Sequence, residues 1–265
     1  MGRKQQKEEE FSFEDILEEL QSITKEIECG SYRVKELTMH HQRKSLTAGM
    51  EPVEAPIRLN NLFSDYILEN VELINDYGSI GDIVTIAERP YLINLLRKVT
   101  LGEEYIVDDK TYKMYEVTDK DFEEIGEGVT SFECGNLIVN LKYPTINEDK
   151  KINESLSNEL TPYKNRRLND NDYGNITVIY SLYEIMKYID SIEINGNVTE
   201  FSTVSISNRK KFIDRLHLRY IELIGNFMAK VKSHEEKCFT AFNPEKEDDV
   251  VSMDASMLFS AKNTQ

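Results

Sequence analysis

The run Ser191-Ile192-Glu193-Ile194-Asn195-Gly196-Asn197-Val198-Thr199-Glu200-Phe201 decides the fold class. Asn-Gly suits a tight hairpin turn, because both central positions of such a turn need a left-handed backbone. The spacing predicts two short antiparallel strands, Ser191–Ile194 and Val198–Phe201. The period then changes. Phe212, Leu216, Tyr220, Leu223, Phe227 and Val231 follow steps of 4, 4, 3, 4 and 4, which puts them on one face of a helix. Ser207 is the expected cap of that helix, about residues 208–238. A hairpin feeding one long C-terminal helix points to an α+β fold.

Working outward, more hairpins and helices of the same kind are expected. Tyr183–Ile192 reads as helical. Residues 147–173 are rich in Asn, Asp, Glu and Lys and read as one polar helix, about 148–160, followed by a solvated loop. Val129–Cys134 and Leu137–Tyr143 flank Gly135-Asn136, while Glu104–Val107 and Thr111–Val117 flank Asp108-Asp109-Lys110; both predict hairpins. A brief helix capped by Thr118 separates them. Nearer the start, Ser12 caps an acidic helix at Phe13–Leu20, and extended arms Ile23–Cys29 and Tyr32–Leu37 meet at Gly30-Ser31. Thr38 opens a helix to Ala48, which Gly49 ends. A longer helix follows Pro52 and Pro56, with Leu59, Leu62, Phe63, Tyr66, Ile67, Val71 and Ile74 on one face. After a connector at Ser79–Val84, the Thr85-Ile86-Ala87-Glu88 capping box starts another helix. Its apolar stripe is Tyr91, Leu92, Leu95, Leu96 and Val99, and Gly102 closes it. Three regions are expected: 1–102, helix-strand-helix; 103–175, central hairpins with a polar linker; and 176–265, hairpin, long helix and tail.

The 265 residues hold 32 Lys+Arg against 48 Asp+Glu, a net charge of -16, with 40% hydrophobic residues. That composition can fill a core. The negative surplus argues against nucleic acid as a partner, since phosphate contact needs clustered cations, and against an anionic membrane surface. No run approaches the roughly 18 apolar residues of a membrane span, and Met1–Glu10 has no apolar stretch behind it, so no signal peptide is expected. Cys29, Cys134 and Cys238 are far apart, which makes a reducing cytoplasm the default.

No catalytic, cofactor or metal site is predicted. The phosphate-binding glycine loops are missing, and Gly126-Glu127-Gly128 reads as a turn. His234 and Cys238 share a helix face, but no paired spacing supplies further ligands. Cys134 has no partner cysteine two residues on, since position 137 is Leu. His40-His41 reads as part of a solvated basic helix face. An enzyme would show itself by His40 or His217 buried among carboxylates. The residues with a binding signature are others. Past the acidic Glu245, Glu247, Asp248 and Asp249, the tail turns apolar at Val250, Val251, Met253, Met257, Leu258 and Phe259. Such a segment docks either on its own domain or on a partner. Arg209-Lys210-Lys211, in the first turn of the long helix, opposes the helix dipole and points to an acidic partner.

Two stretches carry a resemblance. Tyr32-Arg33-Val34-Lys35-Glu36-Leu37-Thr38-Met39 with Gln42-Arg43-Lys44 resembles the opening of baseplate hub proteins of T-even-like tailed phages. Glu184-Ile185-Met186-Lys187-Tyr188-Ile189-Asp190-Ser191-Ile192, Phe212-Ile213-Asp214-Arg215-Leu216 and the closing Met253-Asp254-Ala255-Ser256-Met257-Leu258-Phe259 are similar to their second half. The resemblance implies a non-enzymatic protein of contractile-tail assembly, either a resident hub subunit or a chaperone. It would contact other phage tail or baseplate proteins, in the host cytoplasm during assembly and in the virion tail baseplate if it stays; association with its own copies is open. The rival reading is an acidic phage transcription accessory factor that binds RNA polymerase.

Overall fold

The computed structural model describes residues 20, 23–48, 52–75, 78–125, 129–253 and 259. The acidic helix expected at Phe13–Leu20 lies outside them save for Leu20, as do Gly49, Gly126-Glu127-Gly128, Met257 and Leu258.

Strands β1 (Glu26–Cys29) and β2 (Tyr32–Lys35) form the expected first hairpin. Gly30 at its turn has φ +56°, a backbone that a side chain would strain. Helix α1 (Met39–Ala48) and helix α2 (Ala55–Asn70) follow. The expected continuation of α2 through Val71 and Ile74 is corrected: Val71–Leu73 is strand β3, which pairs with β2 through Val34↔Val71 and Tyr32↔Leu73. The helical spacing runs on through Val71, but β2 has an unpaired edge, and satisfying it outweighs one more helical turn. A one-turn helix, α3 (Ile80–Ile83), leads to α4 (Arg89–Leu101).

Helix α4 is the centre of the protein. Its predicted stripe is there, but every residue from Arg89 to Arg97 is buried, so the helix is covered on all sides. Asn94 Nδ2 donates to the Cys238 carbonyl at 2.9 Å, and Arg97 donates to the carbonyls of Gly102 and Glu104, while its Nε has no partner among the described residues. Glu88, rather than Thr85, is the N-cap; its carboxylate accepts from the Thr85 amide at 2.7 Å and hydroxyl at 2.9 Å. Gly102, at φ +86°, ends the helix.

Strands β4 (Glu104–Val107) and β5 (Lys110–Met114) turn at Asp108 and Asp109, both with positive φ. Helix α5 (Asp119–Ile125) separates them from β6 (Val129–Cys134) and β7 (Leu137–Lys142), the predicted hairpin. Helix α6 (Ile146–Leu160) starts two residues earlier than expected, at a complete capping box of Thr145 and Glu148.

The polar stretch after α6 holds the largest difference. A short 3-10 turn, Thr161–Tyr163, leads to a full helix, α7 (Asp170–Tyr188), capped by Asn169 and Asp172. Residues expected as loop up to Tyr173 and beyond are helical, and the helix expected to reach Ile192 stops at Tyr188. Ile189–Ile194 is strand β8, paired with β7 and with β9 (Asn197–Glu200).

The single helix expected over 208–238 is two. Helix α8 (Ile206–Ile213) is capped by Ser205, whose side chain accepts from the Asn208 amide; Ser207 lies inside it. A turn over Asp214–His217 precedes α9 (Leu218–Cys238). The break lets Phe212, Ile213 and Leu216 reach the same apolar cluster as Ile224, Phe227 and Val231. Last come β10 (Thr240–Asn243) and β11 (Lys246–Ser252).

The class is therefore α+β, with three antiparallel sheets in the orders β1-β2-β3, β11-β10-β5-β4 and β6-β7-β8-β9. The three expected regions interleave: β10 joins β5, β7 joins β8, and residue 175 lies within α7. Three apolar clusters fill the interior, the largest around α2, α4 and the second sheet.

Leu96 is fully buried whereas Leu218 is 84% exposed. In urea unfolding, Leu96→Ala should cost about 2–5 kcal/mol, and Leu218→Ala should change stability by less than about 0.5 kcal/mol.

Candidate functional site

Thr85 forms an isolated bridge with Thr145, Ile86 N–H bonds to the Pro144 carbonyl at 3.0 Å, and Ile146 N–H bonds to the Val84 carbonyl at 2.9 Å. These bonds set the start of α4 beside the start of α6. As a result Arg89 Nη1 donates to Asp149 Oδ2 at 3.0 Å. From α7, Lys187 Nζ lies 2.8 Å from Asp149 Oδ1 and 3.0 Å from Glu184 Oε2. Asn153 adds a bond to Asp149 Oδ2 at 3.1 Å. The Asp149 side chain is 1% exposed, and those of Lys187 and Arg89 only slightly more.

Burial alone would raise the Asp149 pKa, but Lys187 and Arg89 outweigh it and hold the carboxyl below its ordinary value. Burial would likewise lower Lys187, yet Asp149 and Glu184 keep it above. Glu235 of α9 behaves in the opposite way. Burial and the neighbouring Glu184 raise its pKa, with Arg89 a partial offset from 4.0 Å.

These charges line a crevice of about 460 Å³ between α4, α6, α7 and α9. Asn60, Tyr188, Gly225, Met228, Ala229 and Lys232 complete its walls with Ile86 and Val231. A second, wider cavity of about 670 Å³ lies between α6, the outer face of the third sheet and α8, and Lys187 borders both. Nothing in the sequence marked Arg89, Asp149, Lys187 and Glu235 as neighbours. The Thr145-x-x-Glu148 box could have placed the start of α6, but not the cations that meet Asp149.

The residues expected to bind partners are dispersed. Met253 and Phe259 are buried in the largest apolar cluster, Phe259 edge-on to Tyr66 with ring centres 5.4 Å apart. Val251 packs against the same cluster, while Val250 is 56% exposed. Arg209 donates to the carbonyls of Ser202 and Val204. Lys210 pairs with Glu159 and lies 4.9 Å from the centre of the Tyr183 ring. Lys211 is exposed. All three belong to α8, so the expected placement at the head of the long helix is corrected.

The histidines also differ. His41, expected on a solvated face, is buried: its Nε2 lies 2.8 Å from Glu69 Oε2 and its Nδ1 accepts from the Thr38 amide at 3.1 Å. His40 and His217 are exposed. His234 Nδ1 is 2.5 Å from the Tyr91 hydroxyl, and Cys238 is fully buried. Among the described residues no three His, Cys, Asp or Glu side chains are grouped to hold a metal ion, and no helix is long and apolar enough to cross a membrane.

A family model described as T4 bacteriophage base plate protein matches residues 12–238, and the chain belongs to that family. It is a phage baseplate protein. No curated protein and no solved structure matches the chain.

Removing the Asp149 charge leaves two buried cations without their shared anion. Asp149→Asn should cost about 3–5 kcal/mol in urea unfolding at pH 7. The depressed pKa also sets a sign: the contribution is complete above the unfolded value, about pH 4, and is lost as pH falls through the folded one. Acid titration followed by circular dichroism should show the wild type losing stability there, with a flatter dependence in Asp149→Asn.

Proposed function

We propose that this baseplate protein acts in building the baseplate hub, without catalysis, through contacts with other tail proteins. The observation that carries this is the family match over residues 12–238. The surface is compatible. Strand β9 is exposed along its whole length at the edge of its sheet, with Val198 61% exposed. Such an edge offers unpaired backbone groups to another chain. Strand β11 is a second edge, bearing the exposed Val250. Among the described residues, Lys211 and Val250 are the expected partner-binding residues whose exposure suits that role. A net charge of -16 keeps the free protein apart from its own copies until a complementary surface is met. Assembly in the host cytoplasm would precede any residence in the virion.

The test is mass spectrometry of purified mature particles, with whole lysate as control. The chain should be found either in particles at a low fixed copy number, as a resident hub component, or only in lysate bound to tail proteins, as an assembly chaperone. Detection in neither fraction would overturn the proposal.

A further inference from the structure

Three groups in the crevice between α4, α6, α7 and α9 are left unused by the fold. Tyr188 is 3% exposed, yet its hydroxyl has no hydrogen-bond partner among the described residues. The ring is buried, but the oxygen itself is not fully enclosed and opens on the crevice. The Glu235 carboxylate accepts no hydrogen bond among them either, and its nearest cation is Arg89 at 4.0 Å. Gly225 stands in the interior of α9 with ordinary helical backbone, and a Cβ built there meets nothing within 4 Å. Neither strain nor crowding inside this chain calls for glycine, which weakens an exposed helix relative to alanine. Ala229, one turn on, continues the same low wall.

We infer that the crevice receives a basic side chain, arginine or lysine, from a partner protein, whose backbone comes close to α9 at Gly225 and Ala229. This deepens the baseplate reading, on which it rests only for the source of the partner.

Charge decides the sign of the occupant. Arg89 and Lys187 are already committed to Asp149. The carboxylates of Glu184 and Glu235 are 42% and 39% exposed and repel each other. Lys232 is 76% exposed, lies 3.9 Å from Glu236 and offsets the Glu235 charge only in part, so the pKa of Glu235 stays above its ordinary value. An incoming guanidinium or ammonium could donate to Glu235 and to the Tyr188 oxygen, whereas an incoming carboxylate would add a fourth acid to Asp149, Glu184 and Glu235 where Arg89 and Lys187 are already paired with Asp149. The net charge of -16 also favours the approach of a cation.

The experiment uses the full chain with labelled methyl groups on Met228, Val231 and Ile86, all of which line the crevice. N-acetyl-arginine methylamide is titrated in and the methyl resonances followed, with the norleucine and glutamate analogues as controls. The arginine probe should shift these methyls with a Kd of about millimolar order, as expected for one side chain. Glu235→Gln should weaken it about tenfold and Tyr188→Phe should weaken it less. Glu235→Gln removes a charge that burial disfavours, so it should remain folded. Gly225→Leu, whose side chain points into open space, should block the probe and keep the melting temperature. Equal binding of the glutamate or norleucine probe, no binding of the arginine probe, or an unchanged Kd in Glu235→Gln would overturn the inference. So would normal entry of Gly225→Leu into particles or tail complexes. That last result would leave the baseplate reading standing. Absence of the wild type from both fractions would instead remove that reading, while probe binding would still report on the crevice.

Discussion

Asp149 lies between Arg89 and Lys187 with almost no access to water. A carboxylate in that position requires compensating cations close by, and the two that supply it come from different helices. The start of α4, the first turns of α6 and the last turn of α7 must therefore meet at one point. The bridge between Thr85 and Thr145 and the Thr145–Glu148 capping box hold the backbone there. An apolar contact would tolerate sliding of one helix along another, but a paired charge fixes both rotation and register.

The rest of the packing follows from that point. Helix α4 is buried on every side and cannot present a solvent face, so its polar groups become fasteners. Asn94 is bonded to the carbonyl of Cys238, and Tyr91 to the ring of His234. Lys237 reaches Asp121 at 2.6 Å and lies 4.5 Å from the centre of the Tyr115 ring. The last turns of α9 are thus tied to α4 and α5 by directed bonds, while its middle packs through Phe227 on Tyr143. One end of the long helix is specified by polar contacts and the other by apolar ones, and the crevice opens between them.

Local signals were legible and non-local ones were not. Asn195-Gly196, Asp108-Asp109 and Gly135-Asn136 gave their hairpins because turn chemistry is written in adjacent residues. Val71–Leu73 was misread because β2, forty residues earlier in a different pattern, decides its state. Residues 170–182 of α7 were missed through their polarity and Gly174, although Asn169 and Asp172 form a readable cap. The division between α8 and α9 had no local mark, since the apolar spacing continues across it; the cluster that both helices share determines it. The crevice was invisible for the same reason. Arg89, Asp149, Lys187 and Glu235 are four ordinary charges among 80 in the sequence, and only the topology makes them neighbours.

The strand order β11-β10-β5-β4 has a consequence for how the chain comes into being. Strand β5 is synthesised long before β10, yet Met114 and Lys113 pair with Ala241 and Phe242. During translation the β4–β5 hairpin and the apolar cluster beneath it wait, partly uncovered, until the last helix and strands have left the ribosome. Pairings across such a distance form slowly because the intervening chain must first be brought together. Until β10 is made, Tyr112 and Met114 therefore lack their final neighbours.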